Sequence, residues 1–453
     1  MAADRTPRSN AIALAHALLA DAEVPGARSL TALHDRVAAC LGLTAPLPPG
    51  LFQICTELAA WPEPMWRQHG LDSLADVLLQ RPEWPAPPHA WQARHWLLRP
   101  ARMQLAPMAL AGVALPELPT HAALAAWLGT TPDDLQWLAH PSQRWRESQP
   151  TDRPHRSVAP HYRYQLLTKP GGGLRLLEMP LPRLKTLQRR LLHGLLARVP
   201  VHEAARGFVA GRGVRGHANL HAGQPCVLCF DLRDFFGSVG GGRIHALWRS
   251  LGYPEGVART LIQLCTTRTP PAVRERMADA GSLDRPAARR LASAHLPQGA
   301  PTSPALANLS AFGLDLRLDG LAWRFGARYS RYADDLVFSG PAALRRDFRV
   351  LHAWVEAIAL DEGFALNPAK TRCLPAHRQQ RVTGVVVNER PNLPRADYDR
   401  LRAELHALGH QTRVPAALKP RLQGRIAWAR QWLAPERAAK LQRLLERIAF
   451  DGA

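Results

Sequence analysis

Arg328-Tyr329-Ser330-Arg331-Tyr332-Ala333-Asp334-Asp335-Leu336-Val337-Phe338 is the stretch around which the rest of the chain is organised. An alternating run leads into two adjacent carboxylates and an apolar run leads away, so the segment reads as two short strands joined at an acidic tip. Such a hairpin holds Asp334 and Asp335 at the end of a sheet, where like charges this close are tolerated when a cation sits between them and further acids. Taken alone, an Asp-Asp pair reads as readily as a solvated turn, because Asp bonds its own backbone there. The partners supplied by the rest of the chain decide between the two.

Hydrophobic residues make up 46% of the 453 residues, enough for a buried core and for two or three structural units. Lys and Arg number 58 against 37 Asp and Glu, a formal charge of +21 that points to a polyanionic partner, nucleic acid first. Six scattered cysteines suggest no disulfide framework and fit a reducing cytoplasm. Cys226 and Cys229 form a lone C-x-x-C without a second pair at zinc spacing, inside an apolar run that reads as a buried strand. Met1 to Asn10 is polar, and no stretch approaches the roughly 18 apolar residues of a membrane span, so a soluble, cytoplasmic chain with no membrane contact is expected.

In chain order, residues 11–22 and 29–43 read as amphipathic helices, the second with Ser29 as N-cap. A Pro- and Trp-rich stretch follows, in which Trp61, Trp66, Trp84, Trp91 and Trp96 alternate with Arg67, Arg81, Arg94, Arg99 and Arg102. These rings could stack on bases, but in a small helical unit they read as core. Residues 1–115 thus form a helical extension of unassigned role, and 116–160 a helical lead-in and linker. In the lead-in Thr120 caps one helix, Gly129 ends it, and Thr131-Pro132-Asp133-Asp134 opens the next; the polar stretch 142–160 is the linker.

From residue 161 the texture changes. Tyr162–Thr168 and Leu174–Met179 flank a glycine turn and read as a hairpin with Lys169 and Arg175 near its tip. A helix over 181–198 presents Leu184, Leu187, Leu191 and Leu195 on one face. Cys226–Asp231 is an apolar strand ending in an acid, and a carboxylate there is costly unless it is paired or holds a metal. Leu296–Pro304 is a rigid polar loop containing Gln298 and Gly299, with Ser303 as the expected N-cap of a helix showing Leu306, Leu309, Gly313 and Leu316 on one face. A further helix over 345–362 leads to Lys370.

Phe230-Asp231-Leu232-Arg233-Asp234-Phe235-Phe236, the 297–304 loop and Tyr332-Ala333-Asp334-Asp335, in this order and spacing, closely resemble the palm motifs of reverse transcriptases. Over residues 117–450 the resemblance is closest to the bacterial retron type. Supporting features are the fingers-like stretch 169–188, Val382-Thr383-Gly384, and His217-Ala218-Asn219-Leu220-His221 where those enzymes carry Asn-Ala-x-x-His. Ala218 and His221 match; His217 stands in the Asn position.

The resemblance implies an α+β, right-hand polymerase: fingers and palm with an antiparallel sheet over 161–390, a helical thumb over 391–453, and the mainly helical N-terminal extension. It implies RNA-directed DNA polymerase activity by two-metal phosphoryl transfer, with two Mg²⁺ ions held by Asp231, Asp334 and Asp335. By resemblance Lys370 would meet the departing pyrophosphate, and Lys169, Arg175, Phe235, Phe236, Gln298 and Gly299 would make up the deoxynucleotide site, Phe236 excluding a 2′-hydroxyl and Phe235 packing in the palm beside it. His221, Val382, Thr383, Gly384, Arg421 and Arg425 would contact RNA. The implied partners are a structured non-coding RNA template, its DNA product, dNTPs and an effector protein, with a branched RNA-DNA made in anti-phage defence. The alternatives are a group II intron-like or abortive-infection reverse transcriptase and, from a different class, a catalytically idle RNA-binding scaffold.

Overall fold

The computed structural model describes residues 7–20, 26–43, 46–82, 92–95, 112–139, 161–169 and 172–451. The chain divides into two compact units, Met1–Arg102 and Met103–Ala453. Among the described residues no helix is long and apolar enough to cross a membrane. The stretch 142–160, expected as a linker, lies outside the described residues.

In the first unit, helices Pro7–Leu19, Leu30–Leu41, Pro49–Ala59, Glu63–Gln68 and Leu71–Leu79 close over a core that includes Leu14, Leu33, Leu51, Ile54, Leu58 and Leu74. Ser29 caps the second helix by accepting from Ala32 N at 3.3 Å, which satisfies one of the free amides of the first turn. Trp66 is buried in this core beneath the Arg28 guanidinium, and Trp61 packs against it half-buried. These two rings serve packing. Trp84, Trp91, Trp96, Arg99 and Arg102 lie outside the described residues.

The first described helices of the second unit are His121–Leu128 and Pro132–Ala139, whose first turns are closed by Thr120 Oγ1 accepting from Ala123 N and Thr131 Oγ1 accepting from Asp134 N. Among the described residues, strands β1 (Tyr162–Thr168) and β2 (Leu174–Pro180) follow, paired antiparallel, and then a helix Pro182–Gly194 that buries Leu184, Leu187 and Leu191. The central sheet holds β3 (Cys226–Asp231), β4 (Arg328–Tyr332), β5 (Asp335–Gly340) and β6 (Arg372–Pro375), in the order β4-β5-β3-β6 with every neighbour antiparallel.

The near-continuous apolar run of β3 has a physical reason. Cys226, Leu228 and Phe230 face the main core with Phe338 and Leu336, whereas Val227 and Val337 face a second cluster built from Val382, Val385, Val387 and Trp432. A strand buried on both faces loses the polar alternation of a half-exposed one, and each fully buried Leu or Phe contributes about 1.5–3 kcal/mol. The covering hairpin consists of β7 (Arg381–Val382) and β8 (Val385–Val386), joined through Thr383 and Gly384, both at positive φ (47° and 83°). Positive φ at both central residues matches the right-handed twist of the flanking strands. Helices Arg395–Gly409, Lys419–Arg430 and Pro435–Glu446 pack as a separate bundle around Leu401, Leu405, Leu422, Ile426, Leu441 and Leu445.

Two local expectations are corrected. Ser303 is the first residue of helix Ser303–Ser310 and not its cap; Thr302 occupies that position, and Ser303 Oγ donates to Pro297 O at 2.7 Å. The tertiary carbonyl outcompetes the cap. The helix also stops at Ala311, and the following helix Phe312–Arg324 buries Leu314, Asp315 and Leu318 and leaves Leu316 57% exposed. The break re-phases the apolar face.

Candidate active site

Asp231, the last residue of β3, pairs in register with Asp335, the first residue of β5, and Asp335 pairs in turn with Tyr332 of β4. Ala333 and Asp334 make the two-residue turn between β4 and β5, Ala333 at φ 57°, and Leu232 N donates to Asp334 O at 2.9 Å. Strand pairing therefore carries Asp231 and Asp335, and the Leu232 N–Asp334 O bond ties down the turn between them, which restricts their motion more than a free loop would.

Asp231 is buried and Asp334 and Asp335 are half-buried. Burial, then the negative charges of Asp334 and Asp231, push the Asp335 carboxyl up to about 6, with Lys370 and Arg372 pulling the other way. Burial and the Asp231 charge raise Asp334 as well, eased by Lys370 and Arg175. Carboxylates that repel one another out of water meet the electrostatic condition a cation relieves, and their oxygens are the hard donors that Mg²⁺ prefers. The donor set fits a hard divalent ion.

Among the described residues, however, no three His, Cys, Asp or Glu side chains converge closely enough to hold a metal. Both oxygens of Asp231 are already bonded: Lys370 Nζ donates to its Oδ2 at 2.7 Å and Asn367 Nδ2 to its Oδ1 at 3.2 Å. Burial works against the Lys370 charge, but the hydrogen bond and the charges of Asp231, Asp334 and Asp335 outweigh it and hold its pKa above the usual lysine value.

Asp231 and Lys370 are thus in direct contact, and Asp231, Asp334, Asp335 and Lys370 lie within electrostatic reach of one another, with the Arg175 charge close enough to be felt at Asp334. Lys169 is exposed at the tip of the β1–β2 hairpin. Gln298 and Gly299 are fastened to β2: Glu178 N donates to Gln298 O at 2.9 Å, and Gly299 sits at φ 134° where a Cβ would come within 3.0 Å of Glu178 O. Beneath them the buried Glu178 carboxylate accepts from His295 Nε2 at 2.9 Å and Thr269 Oγ1 at 2.7 Å. This network fixes the loop to the hairpin.

Two residues expected to touch RNA, His221 and Val382, are buried instead, and Phe235 of the nucleotide site packs in the palm. Phe235 is 4% exposed and packs under the Arg331 guanidinium, while Phe236 alone of the pair is half-open. His221 is fully buried, its Nδ1 within 2.7 Å of Ser339 Oγ and its Nε2 within 2.8 Å of Ser330 Oγ, so neither nitrogen is left for RNA. His217 joins the same chain through Nδ1 to Ser330 Oγ at 2.8 Å, and burial, aided by the Arg206 charge, pushes it down to about 3. Its ring is held neutral and structural. Val382 is buried beneath the sheet cluster, leaving the half-buried Thr383 and exposed Gly384 at the turn. Arg421 is exposed on the C-terminal bundle, whereas Arg425 is paired with Glu404.

Arg331 was not singled out by its sequence context, yet it anchors the site. It is wholly buried, donates through Nε and NH2 to the two oxygens of Asp315 at 2.8 and 2.6 Å, and through NH1 to Asn308 Oδ1 at 2.9 Å and Ala333 O at 3.1 Å. Tyr329 Oη also donates to Asp315 Oδ1 at 2.9 Å. A planar guanidinium with five donors suits this bidentate contact. The last of its bonds grips the turn that carries Asp334.

A central antiparallel sheet with acids at adjoining strand ends, flanked by a basic hairpin and a helical bundle, is a polymerase-type palm with its surroundings. Residues 167–387 match the family described as "Reverse transcriptase (RNA-dependent DNA polymerase)". The chain is 42% identical over 294 residues to the Retron Mx65 reverse transcriptase of Myxococcus xanthus, covering 64% of this chain and 65% of the relative. It is 40% identical over 308 residues to the Retron Mx162 reverse transcriptase of the same organism, covering 64% and 59%. To the Retron Ec86 reverse transcriptase of Escherichia coli it is 31% identical over 255 residues, covering 54% of this chain and 70% of that one. The match thus spans slightly less than two thirds of each Myxococcus relative. The chain belongs to the retron-type reverse transcriptases.

Arg331→Leu removes the cationic partner of the buried Asp315, and is expected to lower stability by about 3–5 kcal/mol in denaturant unfolding. Replacing both partners by leucine should recover most of that loss. A double variant as unstable as the single one would contradict the ion-pair account.

Proposed function

We propose that this protein is an RNA-directed DNA polymerase that extends a primer with deoxynucleotides on a template within a structured non-coding RNA. The observation that carries the reading is the register of Asp231 against Asp335, with Asp334 in the adjoining turn and Lys370 at 2.7 Å from Asp231. Family membership and the net charge of +21 support it.

Asp231, Asp334 and Asp335 would hold two Mg²⁺ ions, which when bound activate the primer hydroxyl and steady the triphosphate. Lys370, whose charge is reinforced by the three acids, keeps its proton and is suited to neutralise the pyrophosphate as it leaves. Arg175, on the exposed side of β2, steers the triphosphate toward the acids, with Lys169 further out at the tip. Phe236, half-open beside the buried Phe235, stands against the sugar and disfavours a 2′-hydroxyl. The Gln298–Gly299 backbone, fixed to β2, lines the nascent base pair.

The wider role follows the family: copying part of a non-coding RNA into a branched RNA-DNA in the cytoplasm, in anti-phage defence together with an effector protein. The Thr383–Gly384 turn, exposed at Gly384, and Arg421 are the surfaces best suited to the RNA stem, by shape and phosphate contact.

Purified protein with its co-purifying RNA, Mg²⁺ and labelled deoxynucleotides is expected to make DNA, and Asp334→Asn to lower synthesis at least a hundredfold. Undiminished synthesis by Asp334→Asn would remove that residue from the metal site. No synthesis by either protein would favour an RNA-binding scaffold. Separately, Phe236→Ala should raise ribonucleotide incorporation at least tenfold relative to the wild type; an unchanged sugar preference takes Phe236 out of the gate role.

A further inference from the structure

Phe208 follows Gly207, which passes close to the turn that carries Asp334. Its side chain is 52% exposed, among the largest exposures of an aromatic ring in the described second unit. Its backbone is at φ 61°, a left-handed conformation that a bulky side chain adopts only under constraint. Among the described residues only four non-glycines have positive φ, and three of them, Phe208, Asp234 and Ala333, belong to the segments around the carboxylates. An exposed apolar ring on a strained backbone gains little for folding. Strain kept at such a place is a pointer to function.

The surroundings show what holds it. Arg331 N donates to Ala204 O at 2.8 Å and Arg206 N to Arg331 O at 2.7 Å, so residues 204–206 run alongside β4. Gly207 then passes so close to the acidic turn that a Cβ would lie 2.8 Å from Ala333 N, and Asn308 Nδ2 donates to Gly207 O at 2.9 Å. These contacts deliver the next ring to the mouth of the site: Phe208 lies 6.2 Å from the Phe236 ring and 6.3 Å from the Tyr332 ring. The three rings form an aromatic cluster next to the turn that carries Asp334, Tyr332 pairing in register with Asp335.

We infer that Phe208 is a binding residue that packs its ring on the base or sugar of a nucleotide held at the carboxylates. The inference rests on the polymerase reading for its ligand. The chemistry is that of aromatic stacking, which tolerates any base because each presents a π face. The incoming deoxynucleotide and the end of the primer–template duplex offer the same face, and the two are separable by experiment.

The test compares wild type, Phe208→Gly and Phe208→Tyr by dNTP KM and kcat, by equilibrium binding of an RNA–DNA primer–template, and by melting temperature. Glycine takes φ 61° without penalty, so Phe208→Gly should melt no lower than wild type while one of the two binding constants weakens by about tenfold. A rise in KM with the duplex constant unchanged assigns the ring to the incoming nucleotide; weaker duplex binding assigns it to the primer end. Phe208→Tyr, which keeps a ring, should recover most of the loss. The inference is overturned if neither constant moves by more than twofold, if the only change is a lower melting temperature, or if tyrosine is as impaired as glycine. A wild-type protein that binds the duplex but does not extend it contradicts the polymerase reading alone, because the binding arm needs no chemistry.

Discussion

Asp231 and Asp335 face each other at the ends of two adjacent strands, with Asp334 one residue away, and their mutual repulsion is the constraint the surrounding structure answers to. Burial aggravates it, as the raised carboxyls of Asp334 and Asp335 show. Three kinds of support oppose it. The apolar β3, packed on both faces, fixes the strand that ends in Asp231. Lys370 and Asn367 bond directly to the Asp231 carboxylate. Arg331, buried against Asp315 and Asn308, bonds the carbonyl of Ala333 and so braces the turn. Ion pairs taken wholly out of water add little net stability over apolar packing. The Arg331–Asp315 pair is better understood as a device that sets the position of the turn.

The features written in local sequence were legible. The hairpin ending at the acids, the strand ending in Asp231, and the caps at Ser29, Thr120 and Thr131 depend on residues a few positions apart, and the structure has them. The palm-like order of Asp231, the Gln298 loop, the paired acids and Lys370 could likewise be seen. What escaped depends on contacts across long stretches of chain. Nothing beside Arg331 announces a partner on a helix sixteen residues earlier, and nothing in the His217–His221 segment reveals that Ser330 and Ser339 take up its ring nitrogens. Ser303 failed as a cap because Pro297 O, brought near by the loop, competes for its hydroxyl.

The same distinction explains Phe208. Its segment is held by the backbone of Arg331 and by the close pass of Gly207, relations that have no local signature. The first compact unit has its own core and lies outside residues 167–387, where the family match falls. Its buried Trp66 and half-buried Trp61 are accounted for by packing within that unit.

We propose that Asp231, Asp334 and Asp335 form a cation site whose repulsion a divalent ion relieves. Calorimetric titration of Mn²⁺ into the metal-free protein, compared with Asp231→Asn, tests it most directly. Saturable binding to the wild type, accompanied by a rise in melting temperature with metal concentration, and loss of both in the variant are the expected result. Equal binding by the two proteins, or none by the wild type, would contradict the account.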